Sequence, residues 1–93
     1  MMPVIEIAKT ALRIRHAGLD VEIKRQESVI RKDLKRVGID PDKAESDDDL
    51  IIEAVVTGIC SKMAETQEKR DEYAEAYRIQ IDGLRKCRGY KRV

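Results

Sequence analysis

Asp47-Asp48-Asp49-Leu50-Ile51-Ile52-Glu53-Ala54-Val55-Val56 opens with three carboxylates and passes at once into a segment that is apolar almost all round. Carboxylates in a first helical turn meet unpaired backbone N–H groups and the positive end of the helix dipole, so a helix start is specified here. Beyond it, apolar residues at 51, 52, 55, 56, 59, 60 and 63 cover a face too wide for a helix with one side in water. The segment from about 47 to 65 is therefore expected to be buried, either as the central helix of a small bundle or as a subunit contact.

Upstream, Leu19, Ile23, Ile30, Leu34 and Val37 recur at steps of three, four and seven, while Glu22, Lys24, Arg25, Glu27, Arg31 and Lys32 fill the other faces. This pattern predicts an amphipathic helix over about 19–37. Its end is well specified. Gly38 is placed to take the left-handed conformation, Ile39 to fold back on Leu34, and Asp40-Pro41 forbids continuation. Residues 40–46 then read as a short acidic loop. Val4, Ile7, Ala8, Ala11, Leu12 and Ile14 predict a first helix over about 4–14, with Pro3 in its opening turn and Gly18 available for the turn that ends it. Thr66 is a cap for a last helix over about 67–86, whose stripe is Tyr73, Ala76, Tyr77, Ile81 and Leu84. Gly58, inside the central helix, costs about 1 kcal/mol relative to Ala; it reads either as a point where another backbone approaches closely or as a plain tolerated weakness. The fold class expected is all-α: four helices in a small bundle, one domain over 1–93, with a flexible basic C-terminal tail over 87–93.

An apolar share of 42% beside 40% charged residues, with three tyrosines and no Phe or Trp, requires an aliphatic core. No run approaches the roughly 18 apolar residues of a membrane span, and the opening Met1-Met2-Pro3, with Glu6 and Lys9 close behind, does not read as a secretory leader. A cytosolic product without membrane association is expected. Cys60, Cys87 and the single His16 are too far apart in sequence to suggest a zinc site. The cysteines read as reduced structural thiols and His16 as an exposed residue at a helix end. No nucleophile motif, phosphate loop or paired-histidine helix is present, so neither an enzymatic role nor a cofactor is expected.

The net charge is only +1, but it is unevenly spread. Residues 40–53 carry Asp40, Asp42, Glu45, Asp47, Asp48, Asp49 and Glu53 against Lys43, whereas 85–93 carry Arg85, Lys86, Arg88, Lys91 and Arg92 and no acid. The plain reading of each run is a solvated face. The sharper one is that Asp47, Asp48 and Asp49 of one subunit meet Arg31, Lys32, Lys35 and Arg36 on the second helix of a neighbour, since opposite patches on one chain favour head-to-tail contacts that can close into rings. Tyr73 and Tyr77 lie one turn apart. They read as the edge of a core with wet hydroxyls, or alternatively as a platform for stacked bases.

The order of elements also carries a resemblance. Ala8-Lys9-Thr10-Ala11-Leu12-Arg13-Ile14 leads to Arg31-Lys32-Asp33-Leu34 and Gly38-Ile39. After the acidic gap come Asp47-Asp48-Asp49-Leu50-Ile51-Ile52-Glu53-Ala54-Val55, then Glu72-Tyr73-Ala74-Glu75-Ala76-Tyr77, Leu84 and Gly89-Tyr90. Over nearly its whole length the chain resembles the tailed-phage head–tail connectors, also known as head-completion or DNA-packaging adaptors. The resemblance implies a non-catalytic helical adaptor in the virion neck, assembled from the host cytoplasm. It would form a ring under the portal, matching the portal's twelvefold symmetry, extend the channel and receive the next neck or tail-completion protein. The portal-binding segment would be the C-terminal one, with Arg85, Lys86, Arg88, Tyr90, Lys91 and Arg92. Charge facing the channel would touch passing DNA without sequence preference. The alternative function is a small helical nucleic-acid-binding module, using the basic second helix and tail on phosphates.

Overall fold

The computed structural model describes residues 3–91 and is all-α. Its helices are α1 (Val4–Leu12), α2 (Asp20–Arg36), α3 (Pro41–Ala44), α4 (Asp49–Met63) and α5 (Gln67–Arg85). The acidic start does what its chemistry requires: Asp48 caps α4 by accepting from the Leu50 N–H at 3.1 Å. Ile51, Ile52, Ala54, Val55, Gly58, Ile59 and Cys60 are buried, leaving Leu50 and Glu53 in solvent at its beginning. α4 is the central rod, packed against α1, α2 and α5.

The flanking helices place their apolar stripes on it. α2 contributes Ile23, Ile30 and Leu34, α5 Ile81 and Leu84, and α1 Val4 and Ala8, all in one aliphatic cluster. Lys9 of α1 reaches Asp20 at the start of α2, 2.9 Å away, and ties the first two helices together. Gly58 serves a close approach, but of a side chain rather than a backbone. A β-carbon there would stand 2.8 Å from Cγ2 of Ile30, so the missing side chain is what lets α2 seat on α4.

The end of α2 forms as the sequence dictates. Gly38 has φ +104°, the Ile39 N–H donates to the Leu34 carbonyl at 3.0 Å, and the Gly38 N–H to that of Lys35 at 3.2 Å. Three expectations need correction. The first helix stops at Leu12 rather than 14, because Arg13 itself takes the left-handed position at φ 59° and Ile14 folds back with its N–H on the Lys9 carbonyl. The periodicity of Ile14 thus reports a cap packed on the core, not another helical turn. The acidic loop contains a helical turn, α3, because Pro41 presets its first position and the Asp40 carboxylate accepts from the Lys43 N–H, making five helices rather than four. The third correction concerns the tail.

Residues 87–91 are not a free tail. The Tyr90 carbonyl accepts from the Asp40 N–H at 2.8 Å, Lys91 pairs with Ile39 in an isolated antiparallel bridge, and the Tyr90 hydroxyl donates to Asp48 Oδ2 at 2.7 Å. Lys43 lies over the Tyr90 ring, 5.3 Å from its centre. The chain end is strapped across the corner where α2, α3 and α4 meet. Arg92 and Val93, which complete the segment read as a tail, lie outside the described residues.

Candidate interaction surfaces

The corner between α2 and α4 is organised by one guanidinium. Arg31 is 7% exposed. Its Nη1 donates to the carbonyls of Ala44 at 2.8 Å and Ser46 at 2.9 Å, and its Nε to Glu27 at 3.0 Å. These carbonyls close the α3 turn and the segment after it, so the planar fork satisfies buried acceptors that no local donor reaches. Asp47 lies farther off, 3.8 Å from Nη2, and is largely in water. Lys35 pairs with Glu45 at 2.7 Å and holds that carboxyl below its usual range. Arg36 pairs with Asp33 at 2.7 Å.

This changes the reading of the charged set. Arg31 is withdrawn as a subunit contact, because its charge is buried and its donors are engaged within the chain. Lys35 and Arg36 each have an acid of their own, and Asp48 is committed to the cap and to Tyr90. That phenol is the main reason its carboxyl stays ionised to lower pH than an ordinary aspartate. What remains outward is Lys32 on α2, Asp49 at the head of α4 and the exposed Asp47. Sequence reasoning missed the intrachain pairing because a basic helix followed by an acidic loop has the same composition whether the charges meet within one chain or between two.

The C-terminal set divides likewise. Lys86 pairs with Asp82 at 2.9 Å, Tyr90 and Lys91 belong to the strap, and Arg85 and Arg88 are exposed. The tyrosines of α5 do not form a stacking platform. The Tyr77 hydroxyl donates to Asp33 Oδ2 at 2.9 Å, bridging α5 to α2, and burial first, then that carboxylate, pushes its pKa upward. The hydroxyl at this half-buried core edge is thus tied to a carboxylate of the same chain. Tyr73 lines a separate groove with Leu12, Ile14, Leu19 and Met63.

Cys60 is buried, and burial raises its thiol to about 11, so it stays protonated at neutral pH. Cys87 is exposed. His16 is exposed in the α1–α2 loop, its Nδ1 accepting from the Gly18 N–H at 3.0 Å. Among the described residues no group of three or more His, Cys, Asp or Glu side chains could hold a metal ion, and no helix is long and apolar enough to cross a membrane.

Two exposed apolar surfaces stand out against the charged exterior. One is a groove of about 350 Å³ between the start of α4 and the end of α5, where Leu50 is 50% and Ile79 58% exposed. The other is the outer face of α2, where Val21 is 83% and Val29 40% exposed. The groove also holds Glu53 and the exposed thiol of Cys87, and both surfaces have the character of contact surfaces. Comparison with known protein families, characterised proteins and solved structures finds no match to this chain.

Proposed function

We propose that this protein is a structural adaptor of the head–tail connector kind, joining a filled capsid to its tail by assembling as a ring on the portal. The reading rests on the sequence resemblance set out above. The observation that supports it best is the pairing of a closely packed core with uncovered apolar surface: most of α4 is buried against its neighbours, while Leu50, Ile79, Val21 and Val29 remain in solvent. A building block needs both features, a body that does not deform and patches that bury only on assembly. Exposed ion pairs contribute about 0–1 kcal/mol each, so such an assembly would depend on apolar burial repeated around the ring.

The portal-facing role falls to the segment that begins at Arg85, in which Arg85 and Arg88 are exposed. The test is co-expression with the portal protein encoded in the same genome, followed by co-sedimentation and negative-stain imaging. Rings of this chain on the portal are the expected result. Substituting Arg85 and Arg88 with Glu should abolish attachment while leaving the helical circular dichroism unchanged. A portal that sediments without this chain would refute the reading. The nucleic-acid alternative draws on Lys24, Lys32 and Lys62, exposed cations with no ion pair among the described residues. A salt-dependent mobility shift with short duplex DNA, in the absence of portal binding, would favour it.

A further inference from the structure

We infer that the outer face of α2 in one copy seats in the groove between the start of α4 and the end of α5 in a second copy, giving a directional contact between like chains. The inference deepens the connector reading and rests on its premise that the chain assembles with itself.

The groove is built to receive a helix. Its floor is Leu50, Ile79 and the buried Leu84, and Gly83 lies beside them with nothing within 4 Å of where its β-carbon would stand. An exposed helical glycine with open space around it gives no packing benefit inside the chain and costs helix stability. Against a partner, the same bare backbone permits close approach. Glu53 lines it and Asp49 adjoins it in sequence beside Leu50 at the head of α4; neither acid has a cation within 4 Å among the described residues.

The α2 face has the complementary character. Val21, Ser28 and Lys32 follow one line along the helix, with Lys24 and Val29 at its flanks. Val21 is the most exposed of the large apolar side chains among the described residues, at 83%. Lys24 and Lys32, like the groove acids, have no ion pair among the described residues, whereas Arg25, Arg31, Lys35 and Arg36 are already paired. Apolar residues flanked by unpaired cations thus face an apolar floor flanked by unpaired anions. The two surfaces share no residue, so each copy offers both at once. The contact is heterologous and propagates until it closes.

The design of the test follows from that asymmetry. Lys24→Glu with Lys32→Glu makes both surfaces of one variant acidic, and Asp49→Lys with Glu53→Lys makes both surfaces of the other basic. By sedimentation velocity to millimolar concentration, the wild-type chain should associate, and each variant should do so at least tenfold more weakly. An equimolar mixture should recover association, because acidic and basic chains then alternate. Circular dichroism checks that both variants fold. Should the second be unstable, Val21→Cys and Ile79→Cys chains, each also carrying Cys87→Ser, provide a substitute: mixed under mild oxidation they should yield the heterodisulfide in excess of either homodimer. A wild-type chain that never associates, a mixture that stays monomeric, or Ile79→Cys homodimers in excess would overturn the inference. Portal-bound rings that tolerate the α2 variants would overturn it and leave the connector reading standing. Association through this contact without portal binding would do the reverse.

Discussion

Two glycines in helices sit in opposite environments, and the difference decides the sign of the same substitution. Gly58 faces Ile30, whose Cγ2, Cδ1 and Cγ1 would all lie at or below 3.0 Å from an added β-carbon. Alanine gains about 1 kcal/mol of helix propensity there, but overpacking a buried aliphatic contact costs about 1–3 kcal/mol, so Gly58→Ala should lower stability. Combining it with Ile30→Ala should cost less than the two separate losses added, because the new methyl then occupies vacated space. Gly83 meets nothing, so Gly83→Ala should raise the stability of the single chain by about 0.5–1 kcal/mol. Urea denaturation of the four variants measures all of this. A stabilised Gly58→Ala would show that α2 shifts freely on α4. That the glycine inside the central helix could mark a close approach, rather than a tolerated weakness, was one of two readings open in the sequence. What approached was not legible there, since only the packed structure places Ile30 opposite it.

Among the elements, α3 depends on a residue of α2. Truncating Arg31 to Ala would leave the Ala44 and Ser46 carbonyls without their donor, and such losses at buried charged groups cost about 2–4 kcal/mol. Arg31→Lys should recover less than half of it, because an ammonium cannot reproduce a fork that reaches two carbonyls and the Glu27 carboxylate. Thermal melts followed by circular dichroism test this. Full rescue by lysine would show that charge alone, not geometry, holds the corner. The four longer helices, and the caps at Asp48, Thr66 and Gly38, were readable because they arise from spacing and from hydrogen bonds within a few residues, whereas the stop at Arg13 and the single turn of α3 were not. The Arg31 staple and the Tyr90 strap were not. Both join segments far apart in the chain, and neither an arginine on a basic helix nor a tyrosine in a cationic segment leaves a periodic trace.

For the whole molecule, charge is dispersed in small pairs, which gives stability a simple dependence on acid. Glu22 is lowered to about 2, first by Arg25 and then by Gln26. Glu45, Asp48, Glu75 and Asp82 are lowered mainly by Lys35, Tyr90, Arg78 and Lys86 respectively. Each folded value lies below its unfolded one, so the unfolded chain binds more protons as acid is added. The stabilisation is complete above the ordinary carboxylate range and is lost as pH falls through the lowered values. Tm should therefore be level from pH 7 to about 5 and decline below about 4, modestly, because these groups are exposed and screened. A Tm that rises toward pH 3 would contradict the pairing. All-α architecture and a buried α4 could be read from composition and period alone. Which acids meet which bases could not, since that depends on how α2 and the segment after it fold on one another.

The strap at the corner has a mechanical consequence. Oδ2 of Asp48 accepts both the Leu50 N–H that starts α4 and the hydroxyl of Tyr90 near the end of the chain. A tug on the segment that follows Tyr90 is therefore shared between the backbone of Ile39 and Asp40, just past α2, and the mouth of the innermost rod, which it reaches through a single carboxylate oxygen.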